Sequence, residues 1–152
     1  MNQLFTLNKV SLEYGSLEDA FPDVDHGIGE VFGNKVLVQL RAPKTKTKGG
    51  IIITGQTQES ERWNEQVAKV LAVGPLAFRD PRTLAPWPEG AWFQPGDFIR
   101  VPKHGGDKWT VNVERGTDAM GDRITEEIMF AVFDHYAPIG RVVNPLAMKA
   151  YL

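Results

Sequence analysis

Short apolar runs separated by turn-forming residues dominate the chain. The runs alternate loosely between apolar and polar positions, and most are bounded by Gly, Pro, Asn or Asp, which is typical of strands in an all-β domain. Six strands are predicted, at residues 36–40, 67–73, 98–101, 109–113, 128–133 and 139–143. Helix signals are few: SLED at residues 16–19 resembles a capping box, and LAMKAY at 146–151 has the composition of one or two helical turns.

Two predicted connections are much longer than a hairpin turn, and such loops in a compact domain are usually functional or disordered. The connection 41–66 contains three consecutive isoleucines between glycines and long polar flanks. On composition alone the isoleucines fit a short core strand, but the glycines and polar flanks favour an apolar tripeptide presented outside the core. The connection 74–97, termed the roof segment, has five prolines and four aromatic residues: Phe78, Trp87, Trp92 and Phe93.

Composition and charge exclude several classes of function. A chain of 152 residues fits one domain, and its net charge of -2 gives no reason to expect a nucleic-acid or membrane partner. There is no cysteine, so disulfides, thiolate zinc sites and cysteine nucleophiles are excluded, and a cytoplasmic location is predicted. Residues 1–30 carry six acidic side chains against Lys9 alone, which predicts a solvated extension at the N-terminal end.

No constellation of catalytic residues is found. The three histidines, His26, His104 and His135, are far apart in sequence and are predicted to be surface or turn residues. No pair has the spacing of a helical metal site, and the sequence has no nucleophile motif or recognisable pair of carboxylates. We therefore expect neither a catalytic site nor a metal site, and we expect a protein that is not an enzyme.

Four segments, in order and spacing, resemble the group I co-chaperonins, the GroES-like family. They are GNKVLVQL at 33–40, TKGGIIITG at 47–55, VAKVLAVG at 67–74 and PGDFIRV at 95–101. The resemblance implies a small β-barrel over residues 28–143 with a long mobile loop and a roof hairpin, assembling into a ring. Residues 1–27 and 144–152 have no counterpart in compact bacterial members, and the ending HYAPIG looks more like bacteriophage-encoded versions.

The function implied by this resemblance is that of a lid on a group I, GroEL-like chaperonin. The lid encloses an unfolded substrate protein, with a phage capsid protein as one candidate, in the host cytoplasm if the chain is phage-encoded. The chaperonin binds and hydrolyses ATP, so no cofactor is expected on this chain. The resemblance assigns chaperonin binding to the mobile loop, at Gly49, Gly50, Ile51, Ile52, Ile53, Thr54 and Gly55.

The resemblance also implies a heptamer closed by pairing the last strand of one subunit with the first segment of its neighbour. The predicted interface residues are Ile28, Val31, Phe32, Ile139 and Val142. The four roof aromatics either face the dome and its cargo or pack within their own loop. An alternative function is a phage structural or assembly protein that keeps the barrel and no longer binds a chaperonin.

Overall fold

The computed structural model of the chain describes residues 16–43, 64–117 and 119–147. These residues form a short helix and an antiparallel sheet, so the predicted all-β class is confirmed. The elements are α1 (Leu17–Ala20), β1 (Lys35–Leu40), β2 (Val67–Val73), β3 (Phe98–Arg100), β4 (Asp107–Thr117), β5 (Arg123–Asp134) and β6 (Gly140–Arg141). Within the described part of the chain, no helix is long and apolar enough to cross a membrane.

The six strands form one sheet in the order β4-β5-β1-β2-β3-β6, so β4 and β6 are its edges. β1 is central and pairs with β2 on one side, with Leu40 opposite Ala68, and with β5 on the other, with Val36 opposite Phe133. A bulge lies between β1 and β2 where the register shifts after Leu37. The two long predicted connections join β1 to β2 and β2 to β3.

Both faces of the central strands are buried, which explains why their sequences are almost wholly apolar. Alternate residues of β1, among them Val36 and Val38, belong to the main core cluster with Ile99 and the roof residues Phe78 and Phe93. Two smaller clusters lie on the other face of the sheet, one built around Phe130 and the other around Val67.

The segment before β1 covers the second face of the sheet. Ser16 caps α1 by accepting the Asp19 N–H, as the SLED pattern predicts, and the helix delivers Ala20 and Phe21 into the cluster around Val67. The side-chain amide of Gln39 in β1 donates to the backbone oxygen of Pro22 at 2.8 Å. The prediction of a solvated extension is therefore wrong at residues 20–22, which are buried.

Strand lengths differ from the prediction at the C-terminal side. β4 and β5 are about twice as long as predicted and form a hairpin paired from Asp107 opposite Val132 to Thr117 opposite Arg123. Most of the described side chains in its outer half are polar and exposed, Glu114, Thr117 and Arg123 among them, so local alternation does not mark it as strand. β6 is shorter than predicted: it pairs with the three-residue strand β3 at Gly140 and Arg141 only, although the flanking Ile139 and Val142 N–H groups also donate to β3 carbonyl oxygens. Residues 148–151 of the predicted C-terminal helical turns lie outside the described residues.

Gly74, the last residue of the VLAVG motif, packs directly against the backbone that precedes β1. A Cβ atom built on Gly74 would lie 2.2 Å from the carbonyl oxygen of Gly33. The same carbonyl accepts the N–H of Leu76, and Gly74 itself donates to Lys35. Because both sides of this contact are backbone, no side-chain rotation can make room for a methyl group.

We expect Gly74→Ala to lower the free energy of unfolding by about 1–3 kcal/mol, the usual effect of overpacking a buried site. The matched control is Gly29→Ala, where an added Cβ meets nothing within 4 Å. Urea unfolding of both variants checks this expectation. Equal stability of Gly74→Ala and Gly29→Ala would contradict the close backbone approach.

Candidate interaction surfaces

The predicted chaperonin-binding residues 49–55 lie outside the described residues, but both ends of the connection that contains them are described. The ends are held side by side, because the N–H of Arg41 donates to the carbonyl oxygen of Val67 at 2.9 Å. The N–H of Val101, next to β3, donates to the Gln66 carbonyl oxygen at 2.8 Å. The base of the connection is thus part of the sheet.

A buried ion pair lies at this base. Arg41 and Glu65 are 4% and 0% exposed, and their side chains meet in a fork, with Nε to Oε2 and Nη2 to Oε1 both at 3.2 Å. The remaining Arg41 nitrogen, Nη1, donates to the carbonyl oxygen of Pro145 at 2.7 Å. Glu65 Oε1 also accepts the backbone N–H groups of Gln66 and Val67, each at 3.0 Å. The pair therefore joins both ends of the connection to the C-terminal segment.

Burial and pairing act in opposite directions on Glu65. Burial raises the pKa of the Glu65 carboxyl above its ordinary value, whereas the Arg41 charge and the hydrogen bonds from Val67, Arg41 and Gln66 lower it. A bidentate arginine is suited to this position because its charge is permanent and its planar fork matches a carboxylate. Sequence reasoning missed the pair, since 24 residues separate its members and nothing in the local pattern connects them.

The roof aromatics form one cluster with two residues that come after β5. Phe78 and Phe93 are buried in the main core, with ring centroids 5.0 Å apart. Trp87 lies 4.8 Å from Trp92, and both tryptophans lie near Tyr136, the residue after His135. For Phe78 and Phe93, packing within the loop and core accounts for the contacts. Trp92, at 36% exposed, and Tyr136 present the outer surface of the cluster.

The roof segment folds back on itself as a small turn. The Trp87 N–H donates to the Phe78 carbonyl at 3.0 Å, and the Asp80 N–H donates to the Ala85 carbonyl at 2.8 Å. The Asp80 carboxylate accepts the N–H groups of Arg82 and Thr83. These two hydrogen bonds hold the pKa of Asp80 below its ordinary value. Hydrogen bonds within the turn therefore hold it together, and the aromatic residues Phe78 and Trp87 at its two ends pack at the core.

The five predicted interface residues divide into two groups. Phe32 and Ile139 are 74% and 65% exposed, and Ile28 is also exposed. Val31 and Val142 are buried inside the protomer, where Val142 packs with Phe21 and Val67. Beside β6, a pocket of about 240 Å³ is lined by Trp92, Phe93, Ile99 and residues 138–141. The exposed members thus form one apolar patch before β1 and another at the β6 edge.

The three histidines were predicted to be surface or turn residues, and His104 is exposed as predicted. His135 is buried, and its Nδ1 accepts the backbone N–H of Phe78 at 2.9 Å. His26 is half-buried, and its ring lies edge-on to Phe130. His135 therefore lies in a turn, as predicted, but its side chain is not on the surface. In the described ranges, no group of three or more His, Asp or Glu side chains could hold a metal ion.

We expect Glu65→Gln to lower the free energy of unfolding by about 3–5 kcal/mol, because it leaves the Arg41 charge buried without its counter-ion. The matched control is Arg123→Met, which breaks the exposed ion pair with Glu114 and should change stability by less than about 1 kcal/mol. Chemical denaturation measures both variants.

The double variant Arg41→Met/Glu65→Leu separates charge from packing. Replacing both charges with apolar side chains removes the unpaired charge, so we expect it to recover much of the stability lost in Glu65→Gln. A Glu65→Gln variant no less stable than Arg123→Met would contradict the assignment of a buried charged pair.

One protein family matches the part of the chain that contains the buried ion pair and the roof segment. The family described as Chaperonin 10 Kd subunit matches residues 30–115, more than half of the 152 residues. The match spans the Arg41–Glu65 pair, the connection between them and the whole roof segment. Among curated proteins, none matches the chain significantly. The family predicted from the sequence is therefore confirmed, and the chain belongs to the Chaperonin 10 Kd subunit family, the GroES-like co-chaperonins.

Proposed function

We propose that this protein caps a group I chaperonin in the cytoplasm and encloses a substrate protein during ATP-dependent folding. Membership in the family supports co-chaperonin function in general and a group I chaperonin as partner. The observation that carries the proposal is that the matched region contains the connection 41–66 with its base built into the sheet. In this proposal the chaperonin supplies ATP binding and hydrolysis, and this chain supplies no catalytic step.

Within this proposal, residues 49–55 form the contact with the chaperonin as a mobile loop. Ile51, Ile52 and Ile53 offer three β-branched apolar side chains in a row, and burying each contributes about 1.5–3 kcal/mol. Ordering the loop backbone opposes that gain, so one loop binds weakly. β-Branched side chains have few χ1 states, which lowers the entropy lost in an extended bound form.

A ring of subunits converts weak contacts into tight capping. After one loop has bound, the remaining loops bind at high effective concentration, so small gains per loop multiply. The apolar patches at Phe32 and at Ile139 support assembly, because they lie on different segments and a contact between them is head-to-tail, the type that generates rings. We propose a heptamer in which residues 28–32 of one copy pair with the β6 edge of the next.

We expect Ile52→Asp to abolish ATP-dependent association with a group I chaperonin, because it places a charge in the proposed apolar contact. The matched control is Gln58→Asp, which adds the same charge to the same connection outside the tripeptide. Association is measured by co-sedimentation with the chaperonin in the presence of nucleotide.

Limited proteolysis of the wild-type protein gives the second measurement. Cleavage between residues 44 and 62 should be suppressed by chaperonin plus nucleotide. If Ile52→Asp still caps, the site is assigned wrongly. If the wild type neither caps nor gains protection, the proposed function fails and the phage assembly alternative is favoured.

We expect Ile139→Asp to shift the protein from an oligomer to the 16.9 kDa protomer, because the charge would lie in the proposed contact between subunits. Met120→Asp is the control, since Met120 is also exposed and lies at the turn between β4 and β5. Analytical ultracentrifugation at micromolar concentration distinguishes the species. A wild-type protein that sediments only as the protomer would refute the ring.

A further inference from the structure

The roof segment holds strained backbone. In the described part of the chain, the non-glycine residues with positive φ are Phe78, at 61°, and Leu84, at 64°, and both lie in this segment. A bulky residue in the left-handed region is strained, so surrounding contacts must hold it there. The conformation of Phe78 therefore depends on the groups that bind it.

His135 supplies the acceptor for the Phe78 N–H, while the Phe78 carbonyl oxygen accepts the Trp87 N–H within the turn. The Nδ1 atom of His135 accepts the Phe78 N–H at 2.9 Å, and the backbone N–H of His135 donates to the Asn34 carbonyl at 3.1 Å, next to β1. The His135 imidazole ring stacks on the Phe78 phenyl ring, with ring centroids 5.8 Å apart. Trp87, at the other end of the roof turn, lies 4.6 Å from the imidazole. One side chain thus contacts both ends of the turn and anchors them to the sheet.

We propose that His135 is a proton-sensitive latch: protonation of Nδ1 removes the acceptor for the Phe78 N–H and releases the roof turn between Phe78 and Trp87. A neutral imidazole can accept at Nδ1, whereas an imidazolium carries a hydrogen on both nitrogens. The protonated ring would direct an N–H at the Phe78 N–H, so a buried donor would lose its partner. Release exposes the apolar rings of Phe78 and Trp87.

The surroundings of the imidazole oppose its protonation. Burial is the largest cause that lowers the pKa of His135 below its ordinary value; the Asp134 carboxylate raises it and the Lys35 ammonium lowers it. Asp134 and Lys35 form an ion pair with each other at the ends of β5 and β1, which limits the field of each. The roof segment faces the imidazole with uncharged rings, and Tyr136 covers it at 4.4 Å.

Aromatic neighbours favour an imidazolium by cation–π attraction. The lost hydrogen bond and the unpaired Phe78 N–H oppose protonation, and burial of the ring opposes it as well. Burial, the largest cause, sets the direction in which the pKa of His135 is shifted.

The lowered pKa of His135 determines the pH range in which the latch operates. A released roof turn leaves His135 with its ordinary pKa of about 6.5, whereas the latched form has a lower one. Below pH 6.5 the released form therefore binds more protons than the latched form. The latch is fully effective above about pH 6.5 and weakens as the pH falls through the lower pKa of the latched state.

Amide hydrogen exchange of the full chain tests the latch at one residue. We expect the protection factor of the Phe78 N–H, corrected for intrinsic exchange, to fall about tenfold from pH 7.5 to 5.0, the usual effect of losing a buried hydrogen bond. The Val101 N–H, which donates to Gln66 in the sheet, is the internal reference and should change much less. Parallel changes at Phe78 and Val101 would mean global unfolding and would overturn the latch.

Two variants separate the titration from the hydrogen bond. His135→Asn retains an acceptor oxygen near the position of Nδ1 and does not titrate, so Phe78 should stay protected at both pH values. His135→Leu removes the acceptor, so protection should be low at both. The same pH dependence in His135→Asn as in the wild type would overturn the proposal. If His135→Leu fails to fold, the comparison of His135→Asn with the wild type still decides, and neither measurement requires a chaperonin.

Discussion

The central strand β1 is buried on both faces, and most of the molecule is arranged to cover it. A strand in this position needs a layer on each side and a paired neighbour at each edge. One layer is the main core, into which the roof segment inserts Phe78 and Phe93. The other comes from chain segments distant in sequence, with Phe21 before β1 and Leu146 near the C-terminal end. The polar side chain of Gln39 is accommodated because the Pro22 carbonyl accepts from its amide.

The buried ion pair is a consequence of the same constraint. Arg41 comes directly after β1 and enters the covered region as a cation, so it requires an anion and further acceptors there. Glu65 and the Pro145 carbonyl provide them. The free-energy cost of removing two charges from water can exceed the energy of their mutual attraction. Such a pair therefore adds little net stability compared with apolar side chains. Its effect is geometric: the three hydrogen bonds fix the two ends of the connection 41–66 and the C-terminal segment relative to one another.

The sequence predicts elements whose burial shows in their own residues. β2 has its predicted bounds because VAKVLAV is an apolar run flanked by polar residues and glycine. The outer half of the β4–β5 hairpin could not be predicted, since Glu114 and Glu126 are paired there with residues on the other strand and not with a core. The covering segment was missed because acidic residues surround Ala20 and Phe21, and local composition does not reveal a distant surface that they can cover.

In the candidate sites, too, the sequence predicts local features but not contacts between distant residues. The roof aromatics were identified from composition, but their partner His135 is 57 residues from Phe78, and no local pattern joins them. The family motifs predicted where the connection 41–66 lies, because glycine spacing and the apolar tripeptide are local features. The Arg41–Glu65 pair at its base was not predicted, because two charged residues acquire a role only when the strands bring them together.

The family match ends at residue 115, inside β4, yet the sheet also depends on β5, which lies beyond that point. β5 lies between β4 and β1 and pairs with both, so residues 30–115 alone would leave the β1 edge with unpaired N–H and C=O groups. β5 also supplies Phe130 and Phe133 to opposite faces of the sheet. A covering strand must supply apolar volume and backbone pairing, and several side chains of suitable size meet that need. A close backbone approach such as Gly74 on Gly33 admits far fewer, and it lies in the matched part of the chain.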